Sequence, residues 1–504
     1  GLAGGAFMLF YDASTGTITA YDGREEAPSS VTPDVFIKED GNPMGFFEAV
    51  LSGKAVGVPG AVAMLDMAHR EHGELEWNQL FEAPERLASE GFPMPERLHN
   101  TLGRLRDFRN DPQAAIYLDD EGAPLSIGTT VQNEPFAETI RMLAQEGAST
   151  FYTGAVAEAI IERVNAKTGE ETITREDFAA YEPIQREPLC APVADQTVCS
   201  MPPPSSGGIT MLQILKLFEN VTDGEKPTDD LLAYVEATRL AYADRGRYLG
   251  DPIAMGTESL PADRLIDALI SKPYLDARAT QIGSSPAETI NPGNPSSALM
   301  IREGFIDGDA YEVPSTSHFS IRDRNGNIVS MTTSVEMPFG SQMMAAGLVL
   351  NNQLTDFARV PSDDGVPAAN APGPGKRPMS SMTPVITLGA DGEPRVAIGS
   401  PGGPAIIGYV AKPLASHLFA SVPLSEAIAE PHVVVPRGTV TVETGGDDLK
   451  AELEAMGYEV RQRGLSSGLY GFSVDGADVD LIVDTRREGS AKMESQKFSD
   501  LERL

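Results

Sequence analysis

Three observations predict an α/β protein in which helices are layered on sheets. Apolar residues recur at helical spacing early in the chain, with Ala61, Met64, Leu65 and Ala68 setting the pattern. From Ser317 onward the pattern becomes a two-residue alternation around the turn Arg324-Asn325-Gly326-Asn327. The 504 residues are 41% hydrophobic and 22% charged, which suits a large packed core and excludes disorder as the main state.

The elements follow in order. Residues 6–11 and 17–21 read as strands joined by a turn at 12–16. Residues 60–163 are mainly helical, and 136–146 repeat the helical spacing after a polar loop. A short helix is expected over 173–178 with Thr174 as its N-cap, and a long one over 231–247, stopped by Gly250-Asp251-Pro252. Residues 280–312 turn to Pro, Ser, Asn and Gly and read as a loop or linker. Beyond Ser317 strands dominate, at 348–350, 384–388, 395–398, 433–435 and 439–442, with helices at about 406–419 and 447–456. There is no internal repeat. Length alone allows about three domains or one large α/β unit.

Charge narrows the function. With 73 acidic against 39 basic residues the net charge is −34, which argues against nucleic acid and against an anionic membrane as partners. Only 11 residues are Lys, and an acidic, Lys-poor surface points to a salty habitat more than to any chemistry. No apolar run approaches a membrane span. Cys190 and Cys199 flank a short turn, and either a disulfide or two thiols fits them. Six histidines include no zinc-type pair, and His69 and His72 have no matching ligands, so no metal or cofactor is expected.

Three local signals compete for chemistry. Gly464-Leu465-Ser466-Ser467-Gly468 has the G-x-S-x-G form, but a nucleophile elbow needs a following helix and the residues after it are strand-like. It reads as a glycine turn. Pro202-Pro203-Pro204-Ser205-Ser206-Gly207-Gly208 is a rigid loop before a helix starting near Ile209. Residues 315–403 carry the most weight. Thr316 opens a hairpin strand, and Asn351-Asn352-Gln353-Leu354-Thr355-Asp356 and Arg377-Pro378-Met379-Ser380-Ser381-Met382 are polar runs in apolar settings. Gly399-Ser400-Pro401-Gly402-Gly403 opens a helix, where paired N–H groups form an oxyanion site.

Taken in order, these stretches resemble the gamma-glutamyltransferase (gamma-glutamyltranspeptidase) family of N-terminal nucleophile hydrolases. The resemblance rests also on Asp22-Gly23-Arg24-Glu25, Val56-Gly57-Val58-Pro59-Gly60, Arg186-Glu187-Pro188-Leu189, Tyr242-Ala243-Asp244-Arg245, Thr316-Ser317-His318-Phe319-Ser320 and Asp484-Thr485-Arg486-Arg487-Glu488-Gly489, and it covers essentially the whole chain. It implies an αββα sandwich made as one precursor that cuts itself between Ser315 and Thr316. Residues 1–315 would be the large-subunit portion and 316–504 the small catalytic subunit, interlaced as one domain. It also implies an opening helical region before Gly1, a periplasmic or secreted location with its targeting segment outside this sequence, and a heterodimer of the cut chains, further oligomerisation being left open.

The resemblance carries roles residue by residue. Thr316 matches the nucleophile, and its freed α-amine, with a reference pKa near 8, matches the base within the same residue. Gly402 and Gly403 match the oxyanion donors, and Ser334 the hydroxyl supporting the nucleophile. Arg24 matches the holder of the substrate α-carboxylate, with Ser380 and Ser381 beside it, while Gln353 and Asp356 match the acceptors for the α-ammonium. Arg24 as a surface ion pair and the two serines as turn caps stay open. Glu336 stands where many members have Asn, near the substrate ammonium. Ser317 replaces the usual second Thr or Ala. The Pro- and Gly-rich segment 357–379 is shorter than the lid of some members and lacks its aromatic residue.

The implied reaction is transfer of a γ-glutamyl group from glutathione-like donors to water, an amino acid or a peptide. The short lid segment and Glu336 motivate a second reading, a glutaryl-amide (cephalosporin-type) acylase or a poly-γ-glutamate-processing enzyme. A third, a non-enzymatic binding protein for γ-glutamyl compounds, is disfavoured by Thr316 and the glycine pair.

Overall fold

The strand Gly5–Asp12 shows how this sequence builds two layers at once. Its even residues Ala6 and Met8 pack with Tyr21, Met331, Ala61 and Met64, on the side of the helix Ala61–His72. Its odd residues Phe7, Leu9 and Tyr11 face the opposite way, into a core shared with Val198, Val385 and Ile398 of a second sheet. A strand buried on both faces carries apolar residues at nearly every position, as this one does. The computed structural model describes residues 1–222, 229–255, 261–295, 305–308, 315–476 and 478–493.

The first sheet runs in the order Ile184–Arg186, Thr17–Gly23, Gly5–Asp12, Ile328–Ser334, Ser317–Arg322, with every neighbour antiparallel. The second runs Asp478–Val483, Tyr470–Asp475, Pro394–Gly399, Val385–Leu388, Gln196–Ser200, Leu189–Val193, again antiparallel. Both sheets therefore take strands from either side of Thr316. The sheets face each other, and Ser330 Oγ donates to the Ile398 carbonyl at 3.2 Å across the interface. His318 also lies in this interface: a Cβ on Gly399 would fall 2.4 Å from its ring, so only glycine fits there. The helices Gly207–Thr222, Asp230–Tyr248 and Ile406–Ala420 cover the outer face of the second sheet and close the αββα stack.

Element boundaries differ from the expectation by a few residues, for local reasons. The helix expected over 173–178 is Arg175–Ala180, because Thr174 caps it and forms a capping box with Asp177, leaving Ile173 outside. The expected strand 348–350 shortens to Leu348–Val349. The helix after the Pro-Ser-Gly loop begins at Gly207. The stretch 60–163 is interrupted by a two-strand ladder, Phe92–Pro93 with Thr130–Val131. Parts of the expected loop 280–312 lie outside the described residues, and the rest has no α-helix or named strand. Cys190 and Cys199 are register partners on adjacent strands and form a disulfide, which settles the pairing that sequence left open. No helix among the described residues is long and apolar enough to cross a membrane.

Candidate active site

Sheet register explains the first contact of the site. Ser317 pairs with Thr333, so Thr316, one residue earlier, sits opposite Ser334 at the end of the neighbouring strand. Thr316 Oγ1 donates to Ser334 Oγ at 3.2 Å, and Ser334 Oγ also accepts the Glu336 N–H at 2.8 Å. Thr316 has φ +87°, a left-handed conformation that a β-branched residue adopts only under strain. Gly402, with φ +144°, donates its N–H to the Ser315 carbonyl at 2.9 Å. A Cβ there would lie 2.5 Å from the Tyr409 ring, so this backbone amide can approach only from a glycine.

Arg24 follows the strand Thr17–Gly23 and is fully buried, which removes the surface ion-pair reading. Its Nη2 donates to Asp356 Oδ2 at 2.6 Å and to the Met379 carbonyl at 2.8 Å, and its Nε donates to the Pro378 carbonyl at 3.0 Å. Gln353 Nε2 donates to the same Asp356 oxygen at 2.8 Å. Arg24 Nη1 and Gln353 Oε1 are buried with no hydrogen-bond partner, Nη1 lying 3.5 Å from Glu25 Oε2. Beneath them, burial pushes the Glu25 carboxyl up to about 7, against the pull of Arg24.

The serines are placed by loops far away in sequence. Ser206 donates both its N–H and its hydroxyl to the Ser380 carbonyl at 2.7 Å, and Arg245 bridges Ser206 Oγ and Ser381 Oγ at 2.8 Å each. The Pro-Ser-Gly loop and the Tyr242–Arg245 stretch thus meet here. Ser380 Oγ also accepts the Met382 N–H at 3.1 Å, the turn contact that a capping role predicts. Glu336 has φ +74°, and Asn352 Nδ2 donates to its Oε2 at 2.7 Å.

One cavity is lined by Arg24, Thr316, Ser334, Glu336, Gln353, Asp356, Ser380, Ser381 and Gly403, with Met382 and Ile406 as its apolar wall. Gly402 stands next to it at Ser315. A strained Thr, an amide on the preceding carbonyl and a buried cation–anion pair share the space, a set suited to acyl transfer from a zwitterionic head group.

The other sequence signals fall outside this cavity. Ser467 of the G-x-S-x-G run is fully buried, donates to Asp484 at 2.5 Å and is followed by the strand Tyr470–Asp475, so there is no elbow. Among the described residues no group of three or more His, Cys, Asp or Glu is placed to hold a metal. Sequence reasoning missed Asn352 and Arg487, although both lie inside motifs it quoted. Arg487 Nη1 donates to the Thr316 carbonyl at 3.1 Å, across 171 residues, a contact that no local pattern encodes.

Comparison with known proteins now bears on this geometry. The family model described as Gamma-glutamyltranspeptidase matches residues 1–494. The chain belongs to that family. The glutathione hydrolase proenzyme of Escherichia coli (strain K12) is 36% identical over 479 residues, covering 91% of this chain and 78% of that protein. The glutathione hydrolase proenzyme of Bacillus subtilis (strain 168) is 31% identical over 512 residues, covering 97% and 84%. The cephalosporin acylase from Bacillus halodurans superposes with a TM-score of 0.81 over 98% of this chain and 88% of that one; at 22% identity this is a likeness of fold alone. The gamma-glutamyltranspeptidase family chain is an enzyme with the α/β fold of N-terminal nucleophile hydrolases.

Proposed function

We propose that the protein is a γ-glutamyl hydrolase and transpeptidase that cuts itself between Ser315 and Thr316 and then uses Thr316 to cleave glutathione-like donors. The observation that carries this reading is the convergence of Thr316 with Arg24, Gln353 and Asp356 on one cavity.

In the precursor, Thr316 Oγ1 adds to the Ser315 carbonyl carbon, and the Gly402 N–H already on that oxygen stabilises the charge that develops. The peptide C–N bond breaks with transfer of a proton to nitrogen, leaving Ser315 as an ester on Thr316. Water hydrolyses the ester to a Ser315 carboxylate and frees the hydroxyl, the α-amine having been freed when the C–N bond broke. The strain at φ +87° is relieved by the cut. Cleavage also empties the Gly402 site, which the Ser315 carbonyl occupies until then.

In turnover, Arg24 binds the donor's α-carboxylate through Nη1, and Asp356 with Gln353 Oε1 receives its α-ammonium. Ser380 and Ser381 adjoin the carboxylate, and Glu336 adds a second acceptor near the ammonium. Thr316 Oγ1 attacks the γ-carbonyl, its α-amine takes the proton and passes it to the leaving amine, and Gly402 and Gly403 hold the oxyanion. The γ-glutamyl ester goes to water, an amino acid or a peptide. Because each sheet joins strands from both sides of Thr316, the two cut chains stay together as a heterodimer. The disulfide fits an oxidising compartment, periplasmic or extracellular.

Intact mass after expression tests the cut: a chain beginning at Thr316 is expected, and an uncut protein that still releases p-nitroaniline from a γ-glutamyl anilide sinks the mechanism. The kcat/KM on glutathione, a glutaryl amide and a γ-glutamyl oligomer, measured side by side, fixes the donor. Glutathione is expected to lead, and a faster glutaryl amide or oligomer would move the protein to the acylase or polymer-processing reading.

A further inference from the structure

The site contains a cation to which no reading so far gives a task. Arg487 lies in the segment that follows the last strand of the second sheet, and its position is built in. Asp484 accepts the Ser467 hydroxyl at 2.5 Å and the Arg486 N–H at 2.9 Å, pinning the segment against the 464–469 turn, whose residues 467–469 are buried. From there Arg487 Nε donates to the Ser466 carbonyl at 2.9 Å and Nη1 to the Thr316 carbonyl at 3.1 Å, while Nη2 is buried without a partner. Among the described residues no carboxylate forms an ion pair with this guanidinium: Asp484 pairs with Arg486 and Glu488 with Arg97. A half-buried arginine with only carbonyl partners is costly to hold charged, and burial pulls it down to about 10.

We propose that Arg487 is a positioning residue that holds the Thr316 backbone and, by a charge that no carboxylate among the described residues pairs with, keeps the freed α-amine in the neutral form that acts as base. The inference rests on the self-cleavage proposed above. The amine and the carbonyl that Arg487 grips are carried on the same Cα, so the guanidinium is held beside the residue whose nitrogen titrates. A like charge there disfavours the ammonium form. Arg24, also a cation, pairs with Asp356 on the far side of the cavity, and Glu336 is held by Asn352, so these groups act on the substrate head more than on the amine. Tyr409 and Tyr470, which face the guanidinium, are neutral at working pH because burial raises both. Arg97 adds positive charge from the rim, and Asp484, which attracts the guanidinium from a distance, is itself engaged by Arg486 and Ser467.

The test reads the amine directly. Cyanate carbamylates only a neutral amine, and mass spectrometry of the peptide beginning at Thr316 gives the extent of reaction against pH. Wild type, R487K and R487Q are compared after purification of the cut fraction. The expected result is an α-amine pKa about one unit higher in R487Q than in wild type, a matching rise in the acid limb of kcat/KM, and recovery of both by R487K. An R487Q enzyme that is cut, with an unshifted amine pKa, overturns the proposal. So does an R487Q chain that stays wholly uncut, with the wild-type melting temperature, whether R487K cuts or not, since the residue then serves cleavage or packing and not the amine. A wild-type chain that never begins at Thr316 sinks the self-cleavage reading instead, before any variant is compared.

Discussion

Replacing Arg24 with Lys keeps the charge and removes the fork, and the structure says what that costs. Arg24 makes three donations from two nitrogens, to Asp356, Pro378 and Met379, and leaves Nη1 without a hydrogen-bond partner. A single ammonium cannot serve both backbone carbonyls and Asp356 from one position. With Asp356 retained, two buried carbonyls lose their donors, at roughly 1–3 kcal/mol each. Substrate binding loses the Nη1 contact with the carboxylate, and truncating such a buried charged contact costs about 2–5 kcal/mol. That corresponds to a fall in kcat/KM of roughly 30- to 5,000-fold. The loss should appear mainly in KM, because the α-carboxylate does not change during reaction and the contact is uniform between ground and transition states. The assay is steady-state release from a γ-glutamyl anilide by the cut enzyme, with the cut confirmed on a denaturing gel. Self-cleavage of R24K is expected to proceed, since Arg24 has no part in the proposed attack on Ser315. A folded, cut R24K enzyme with KM within twofold of wild type would refute Arg24 as the carboxylate holder.

Four further outcomes are expected. Thr316→Ala should remain a single uncut chain without anilide release, whereas Ser334→Ala, losing its hydrogen bonds to Thr316 Oγ1 and the Glu336 N–H, should slow both cleavage and turnover by about 5- to 30-fold and Ser334→Thr should restore them. The folded Glu25 carboxyl is raised from 4.5 to about 7, so between those values the folded state holds a proton that the unfolded chain has lost, and stability falls as pH rises through this window. Urea unfolding should therefore show Glu25→Gln equal to wild type near pH 4 and more stable by about 3 kcal/mol at pH 8. Reducing the Cys190–Cys199 bond, whose Cys190 end is exposed, should lower stability by up to about 2–3 kcal/mol in denaturant titration and leave kcat/KM unchanged. Raising sodium chloride from 0.1 M to 2 M should raise the melting temperature, since screening relieves the self-repulsion of a net charge of −34; a fall would separate the acidic surface from habitat.

Much of the sandwich was legible in the sequence because local periodicity reports which face of an element is apolar. The apolar run at 6–11 and the alternation around the Asn325-Gly326 turn placed strands within a residue or two of Gly5–Asp12, Ser317–Arg322 and Ile328–Ser334. The helix expected at 447–456 is Asp447–Met456. Short strands were harder. Leu348–Val349 has two residues, too few for any period, and the ladder at Phe92–Pro93 interrupts a stretch whose composition is helical. The candidate site was legible only through the ordered motifs. Taken alone, Thr316 looks like any strand-opening Thr, and Arg24 like any charged residue after a strand.

The chain itself carries the residue types, the order of the motifs and the apolar faces, and these suffice for the fold class and for naming Thr316 as the candidate nucleophile. Folding adds the meetings between residues far apart in sequence. Arg24 reaches Asp356 across 332 positions, Arg487 reaches Thr316 across 171, and Gly402 covers the carbonyl of Ser315. Sheet register brings Cys190 to Cys199 and Thr316 to Ser334. A local pattern states that a face is buried but not which distant face buries it. The burial that takes Arg24 out of water and raises Glu25, and the placement that leaves Arg487 with no ion-pair partner among the described residues, are properties of packed layers, where water is excluded and each buried charge depends on neighbours that the linear sequence does not place beside it.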